Sequence, residues 1–506
     1  MSDLVGGASF KPRPRRYRKP LLLSAGVVLV VLAAWLIVAL PDRLDCGGSQ
    51  LTRHGGECVG VTDGSFVFVP DGADDLGKRF RDIQKLIKKE NDRVAAEEKN
   101  YVKVGLLSTL TPTDTGPQSP RRVLHSLEGA YTAQMRANHT QELGDRAPQV
   151  QLLLANAGSR YEHWEPAVDQ LISMTDDSAP LVAVAGLSIS TTDTQAAAKR
   201  LSEHRIPIIA SSASADGLNA STIPGLIRVT GSNTDFVSAL RHYVRDHDNL
   251  SKAILVADDD PPDLYVATLT DAFEKLMKRE LGSRPVQPFH GTTIEEDAPP
   301  ALVDTAVRNI CQAHVDMVLF SGRTGDLDKF VEALHHRTCR PDPISVLFVE
   351  TGPAIAKDEW ARLGQDGITV VQASAMDPAW TRDSGTGPGA PRGFHDFYEQ
   401  YRTRIRYADD VEDALQDGYA VANHDALVTA VRAIRISYSE DPEQPMNQVR
   451  VRNALFLLNL DNEVEAASGT LSFASGRNGD PGKKPIPVIE TPPGPDRPSL
   501  YTTPEL

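Results

Sequence analysis

Two hydroxyl-rich stretches are the residues of this sequence best suited to hold a ligand. The run Val182-Ala-Val-Ala-Gly-Leu-Ser-Ile-Ser-Thr191 places Ser188, Ser190 and Thr191 after an apolar core, and Arg205-Ile-Pro-Ile-Ile-Ala-Ser-Ser-Ala-Ser214 places Ser211, Ser212 and Ser214 after another. Each apolar part reads as a buried strand, and a helical stretch follows the first as far as His204. In an open α/β sheet, ligands sit beyond the carboxyl ends of the strands. Hydroxyls at such an end, with the unpaired backbone N–H groups of a helix start, can hold an anion. Ser190 and Thr191 also fit a plainer reading in which they only cap the helix. Two adjacent serine-rich strand ends favour a site.

Catalysis finds little support. The sequence holds no Gly-x-Ser-x-Gly elbow, no His-Glu-x-x-His and no Cys-x-x-Cys pair. The stretch Gly476 to Lys484 ends in Pro-Gly-Lys-Lys but lacks the spacing and following helix of a phosphate loop. His335 and His336 precede Cys339, yet adjacent helical residues diverge by about 100°, which does not converge on a zinc ion. No catalytic residue, cofactor or metal is expected.

The elements that must position the serines begin beyond a basic segment, 1–19, which carries Lys11, Arg13, Arg15, Arg16, Arg18 and Lys19. The whole chain has a formal charge of -15, so the remainder is acidic and unsuited to nucleic acid. Next comes a membrane-spanning helix expected over 20–41. Its core, Leu21 to Leu40, has no charge and Ser24 as its one polar side chain, and it is long enough to cross a hydrocarbon layer of about 30 Å. A cleaved secretory signal has an apolar region of roughly 7–15 residues. An uncleaved signal-anchor is therefore expected, with its basic end cytoplasmic and everything after it outside the cell membrane. The four cysteines then sit where disulfides persist. Three connectivities are possible. Local pairing, Cys46 with Cys58 and Cys311 with Cys339, is favoured because the first two flank a Gly-rich turn and the second two bracket one strand and one helix.

Residues 42–100 show no sustained core pattern and read as an extracytoplasmic stalk, with Leu76 to Asn100 as a solvated helix. From Tyr101 the pattern turns to short β-branched runs alternating with amphipathic stretches, the signature of βα units. Strands such as Val102 to Leu107, Val150 to Ala155 and Leu181 to Ala185 are apolar throughout, so they belong in parallel sheets covered on both faces. A second series, including Ala253 to Ala257, Met317 to Phe320 and Ile344 to Phe348, implies a second sheet. Residues 484–506 hold seven prolines and read as an extended tail.

Order and spacing over Tyr101 to Asp480 resemble the leucine/isoleucine/valine-type branch of the type I periplasmic binding proteins. The resemblance rests on Val102-Lys-Val-Gly-Leu-Leu with Thr111-Pro-Thr-Asp-Thr-Gly116, on Leu127-Glu-Gly-Ala-Tyr131, and on the two serine-rich stretches. Asn423-His-Asp-Ala426 and Ala467-Ser-Gly-Thr-Leu-Ser-Phe473 are similar to late landmarks of that family. It implies two Rossmann-like α/β lobes joined by a three-crossover hinge, here preceded by one transmembrane helix. The division expected is lobe 1 over 101–233 and 375–458 and lobe 2 over 234–374 and 459–483, with hinges near 230–233, 372–375 and 458–461. The resemblance also implies that Tyr265 is an aromatic wall and Glu350 an acid for a ligand ammonium, facing a carboxylate cradle at the serines. Val266 departs from the aromatic-Gly pair usual after that tyrosine, and Asp258, Asp259 and Asp260 make an acidic mouth that either favours cationic ligands or is a solvated turn.

The expected function is binding of a small, amino-acid-like solute, as the substrate-binding component of an ABC-type importer with a permease partner. The alternative is a membrane-tethered sensor that uses the same lobes to recruit a partner protein.

Overall fold

The structure, a computed structural model, describes Cys46 and residues 51–70, 74–97, 100–259, 262–291, 301–340, 342–406, 411–494 and 499–504. The basic segment and the expected membrane helix lie outside these residues. Among the described residues, no helix is long and apolar enough to cross a membrane.

Apolar runs without alternation become strands buried on both faces, as in Gln149–Asn156 and Leu181–Gly186. They belong to a seven-stranded sheet in the spatial order Thr52–His54, Glu57–Thr62, Gln149–Asn156, Tyr101–Ser108, Leu181–Gly186, Ile208–Ala210 and Leu226–Arg228. Its first two strands are antiparallel additions and the rest run parallel. The second sheet has the order Ser499–Thr502, Pro485–Thr491, Ile368–Ser374, Ile344–Glu350, Met317–Ser321, Ala253–Asp258 and Gln287–Phe289. Here too the first two are antiparallel and the others parallel. Each sheet has an apolar core on either face, giving two lobes. Both disulfides are local, Cys46–Cys58 and Cys311–Cys339.

Three expectations need correction. Residues 51–70 and 74–97 are no stalk: Glu57–Thr62 pairs with Gln149–Asn156, and the helix Asp74–Glu97 buries Phe80, Ile83 and Ile87 in the core of lobe 1. Its apolar stripe is narrow because buried polar residues share that face. Gln84 exchanges hydrogen bonds with the backbone of Phe68, and Asn91 does so with Leu152. Such side chains substitute for a strand partner and read as surface residues in a hydropathy pattern. The hairpin Val464–Ala466 and Gly469–Leu471 packs in the core of lobe 1, so 459–483 does not return to lobe 2 as expected. Finally, Pro485–Thr491 and Ser499–Thr502 are no tail but the edge of the lobe 2 sheet. The half with Pro485 and Pro487 pairs only with the outermost strand, while Val488 to Thr491, which keep their N–H donors, pair inward.

The chain crosses between lobes three times. It leaves the lobe 1 sheet after Arg228 and enters a lobe 2 helix at Asn233; it returns between Ala375 and Met376; and it crosses again between Phe473 and Ile486.

Candidate functional site

A cavity of 510 Å³ lies between the lobes, at the carboxyl ends of strands from both sheets. This size falls in the range of small-molecule pockets, roughly 300–1,000 Å³. Lobe 1 contributes the loop Asp114 to Pro117, the helix start at Ser119 and Arg122, and the serine loops; lobe 2 contributes Tyr265, Arg323, Thr324 and Glu350.

The serine loops are built mostly from their own hydrogen bonds. Ser188 donates to Gln118 Oε1 at 2.7 Å, and Ser212 donates to the Ser188 carbonyl at 2.9 Å. Ser190 Oγ accepts from the backbone N–H of Ala215 at 3.2 Å, which leaves its own proton to donate. Ser188, Ser190, Ser212 and Ser214 all line the cavity. Thr191 and Ser211 do not. Thr191 is the cap of the helix Thr192–Glu203, its hydroxyl accepting from Thr194 N–H at 3.1 Å, so the plainer reading holds for this residue. Ser211 is buried behind the lining, with no partner for its hydroxyl among the described residues. The acidic mouth is displaced as well: Asp258 is buried and accepts from Gly291 N–H, Asp259 pairs with His290, and Asp260 lies outside the described residues.

The lobes touch at this level. Tyr265 N–H donates to the Ser190 carbonyl at 3.1 Å, and Thr192 N–H to that of Pro262 at 3.1 Å. Tyr265 forms part of the wall, its hydroxyl donating to the Val349 carbonyl at 2.7 Å and the Arg323 guanidinium lying 5.3 Å from its ring centre. Arg323 is itself clamped by Asp263 through two hydrogen bonds, at 2.5 and 2.9 Å. Burial, with the nearby Glu350 charge, pushes the Tyr265 phenol well above its usual range, so it is neutral and a donor.

Glu350 lines the cavity, but its cation belongs to the protein. Arg122 Nη1 of lobe 1 approaches Glu350 Oε2 at 3.1 Å, and the Thr324 hydroxyl donates to the same oxygen. Oε1 accepts from Thr351 N–H at 2.8 Å and from the Tyr419 hydroxyl at 3.3 Å. Burial, the largest single effect, would raise the Glu350 carboxyl; the Arg122 charge, the Thr324 hydroxyl, the Thr351 N–H and the Arg323 charge together outweigh it and hold the group below the usual carboxylate range. Tyr419 is pushed up to about 12 by burial and by the Glu350 charge. The expected role of Glu350, receiving a ligand ammonium, is thus filled internally.

Two long helices, Pro120–His139 and Tyr419–Glu440, set this geometry. A Cβ at Gly129 would lie 1.9 Å from the Ala420 carbonyl oxygen, so only glycine permits their approach. That contact puts Arg122 5.3 Å from the centre of the Tyr419 ring. Arg122, Arg323 and Tyr419 are the site residues that sequence reasoning passes over. Arg122 stands at a helix start after Pro120, and no local pattern marks an arginine whose partner lies 228 positions away.

No family model matches the sequence, and no curated protein matches it. Solved structures do. The chain is similar to the leucine-binding protein LivK from Thermotoga maritima, at 15% identity over 80% of this chain and 99% of that one, TM-score 0.56. It is similar to a solute-binding protein of an ABC transporter from R. palustris in complex with 4-hydroxybenzoate, at 14% identity over 80% and 98%, TM-score 0.56. The branched-chain amino acid transporter substrate-binding protein LivJ from Streptococcus pneumoniae, in complex with isoleucine, matches at 15% identity over 77% and 95%, TM-score 0.53. At these identities the likeness establishes the fold: two α/β lobes in the arrangement of the type I periplasmic binding proteins.

Proposed function

We propose that this chain captures a small polar solute between its lobes. The observation that carries the reading is the convergence of Ser190, Ser212 and Ser214 from one lobe and Tyr265 and Arg323 from the other on one cavity of 510 Å³. Three crossovers let the lobes rotate as bodies, so opening admits the solute and closing surrounds it. The neighbours that bind leucine, isoleucine or 4-hydroxybenzoate support solute capture as the use of this architecture. Fold alone is a weaker warrant than the site. The serine loops, which offer hydroxyl donors at strand ends, are the chemical ground.

On this reading the lobes stand outside a membrane, tethered by 20–41, and hand their solute to a permease. Protease added to intact cells should then digest the lobes while sparing the basic segment. Solute capture is tested by thermal unfolding of the 506-residue chain in detergent against a library of small organic acids, amino acids and amides. A bound solute raises the midpoint by mass action. Silence across the library would transfer the reading to a tethered receptor that recruits a protein partner.

A further inference from the structure

We infer that the cleft selects a small organic acid that carries no α-ammonium group, with Arg122 standing as an internal cation where that group would otherwise bind. The inference rests on solute capture in the cleft and concerns the chemical class of the solute.

A carboxylate offers about four lone-pair directions. Glu350 has all four in use, toward Arg122, the Thr324 hydroxyl, Thr351 N–H and the Tyr419 hydroxyl. A ligand ammonium would have to displace one of these donors, and displacing Arg122 would strand a buried guanidinium. Asp263 is equally committed: it holds Arg323 and accepts from the backbone N–H groups of Tyr265 and Val266. Asp263 lies outside the lining; the acids that line the cavity besides Glu350, Asp114 and Asp328, are exposed and stand on opposite lobes. No buried carboxylate among the described lining residues is open to a ligand cation.

The donors facing the cavity are in a different position. Ser190 keeps its hydroxyl proton, and Ser119 flanks the start of the helix Pro120–His139 without capping it. A second helix start, at Arg323 and Thr324, enters the cavity from lobe 2, also without a side-chain cap. These groups favour an acceptor-rich, negatively charged ligand end. With Tyr265 as a flat wall, the fit is a carboxylate bearing an apolar or aromatic body.

The test is calorimetric titration of the 506-residue chain with matched pairs: L-leucine against 4-methylpentanoate, and L-tyrosine against 3-(4-hydroxyphenyl)propanoate. The wild type is expected to bind the deaminated member of at least one pair tighter, on the order of tenfold or more, because a buried unpartnered ammonium is rejected strongly. In Arg122→Met, Glu350 loses its cation and the preference should reverse toward the amino acid. Tighter wild-type binding of the amino acids would overturn the inference while leaving capture in the cleft intact. Binding of neither member of any pair would also overturn it, and the library screen then decides solute capture separately. Should Arg122→Met fail to fold, Arg122→Lys keeps a cation at Glu350 and must keep the wild-type preference.

Discussion

Two of the buried charged clusters differ in what they join. One is centred in lobe 1. Asp425 accepts from Ala467 N–H, Ser468 N–H, the Ser468 hydroxyl and His424, while Arg136 lies 2.9 Å from the far ring nitrogen of that histidine. Arg136 can only donate, so His424 Nε2 accepts and the ring proton sits on Nδ1, facing Asp425. Lys484 reaches Ser468 from the chain's last crossover. The other cluster, Arg122 with Glu350, spans the two lobes. Breaking the first loosens a fold; breaking the second changes what the cleft recognises and how readily it opens. Both contain residues that sequence reasoning singled out, Asp425 and Ser468 as landmarks and Glu350 as a ligand acid, and their surroundings separate the roles.

The largest effect is expected of Asp425→Ala. This variant leaves two backbone N–H groups, the Ser468 hydroxyl and a histidine without their acceptor, and should cost about 3–5 kcal/mol in denaturant unfolding. Acid should act on the same cluster. Burial, with the Arg136 charge beside it, pushes His424 down to about 4 from 6.5, so the unfolded chain binds a proton that the folded chain refuses. Stability is then complete above pH 6.5 and lost as pH falls toward 4, measurable as a falling unfolding midpoint across that window. Glu350→Gln keeps the shape but removes the charge facing Arg122, and should cost about 1–3 kcal/mol while altering ligand preference. Thr191→Ala, which removes a cap and no ligand contact, should cost about 1 kcal/mol and leave affinity unchanged by titration.

Much of the fold was legible because parallel strands buried on both faces write themselves as unbroken apolar runs, as in Leu181–Gly186 and Met317–Ser321. The antiparallel edge strands were not. In the helix Asp74–Glu97, Gln84 and Asn91 do the work of core residues with polar side chains, and in Pro485–Thr491 the prolines that read as a tail sit on the half facing the edge. At the site, Ser188, Ser190 and Ser212 were legible from their place after a strand. Thr191 shares that place, and only its bond to Thr194 N–H distinguishes cap from lining. The pairing of Arg122 with Glu350 joins positions on different lobes, which no local spacing encodes.

Capture of a solute between the lobes is tested most directly by filling the cavity. Calorimetric titration of wild type and Ser212→Trp, with whichever library solutes raise the wild-type unfolding midpoint, should give one saturable site in the wild type and none in a variant that still unfolds cooperatively. Undiminished binding to Ser212→Trp would contradict it.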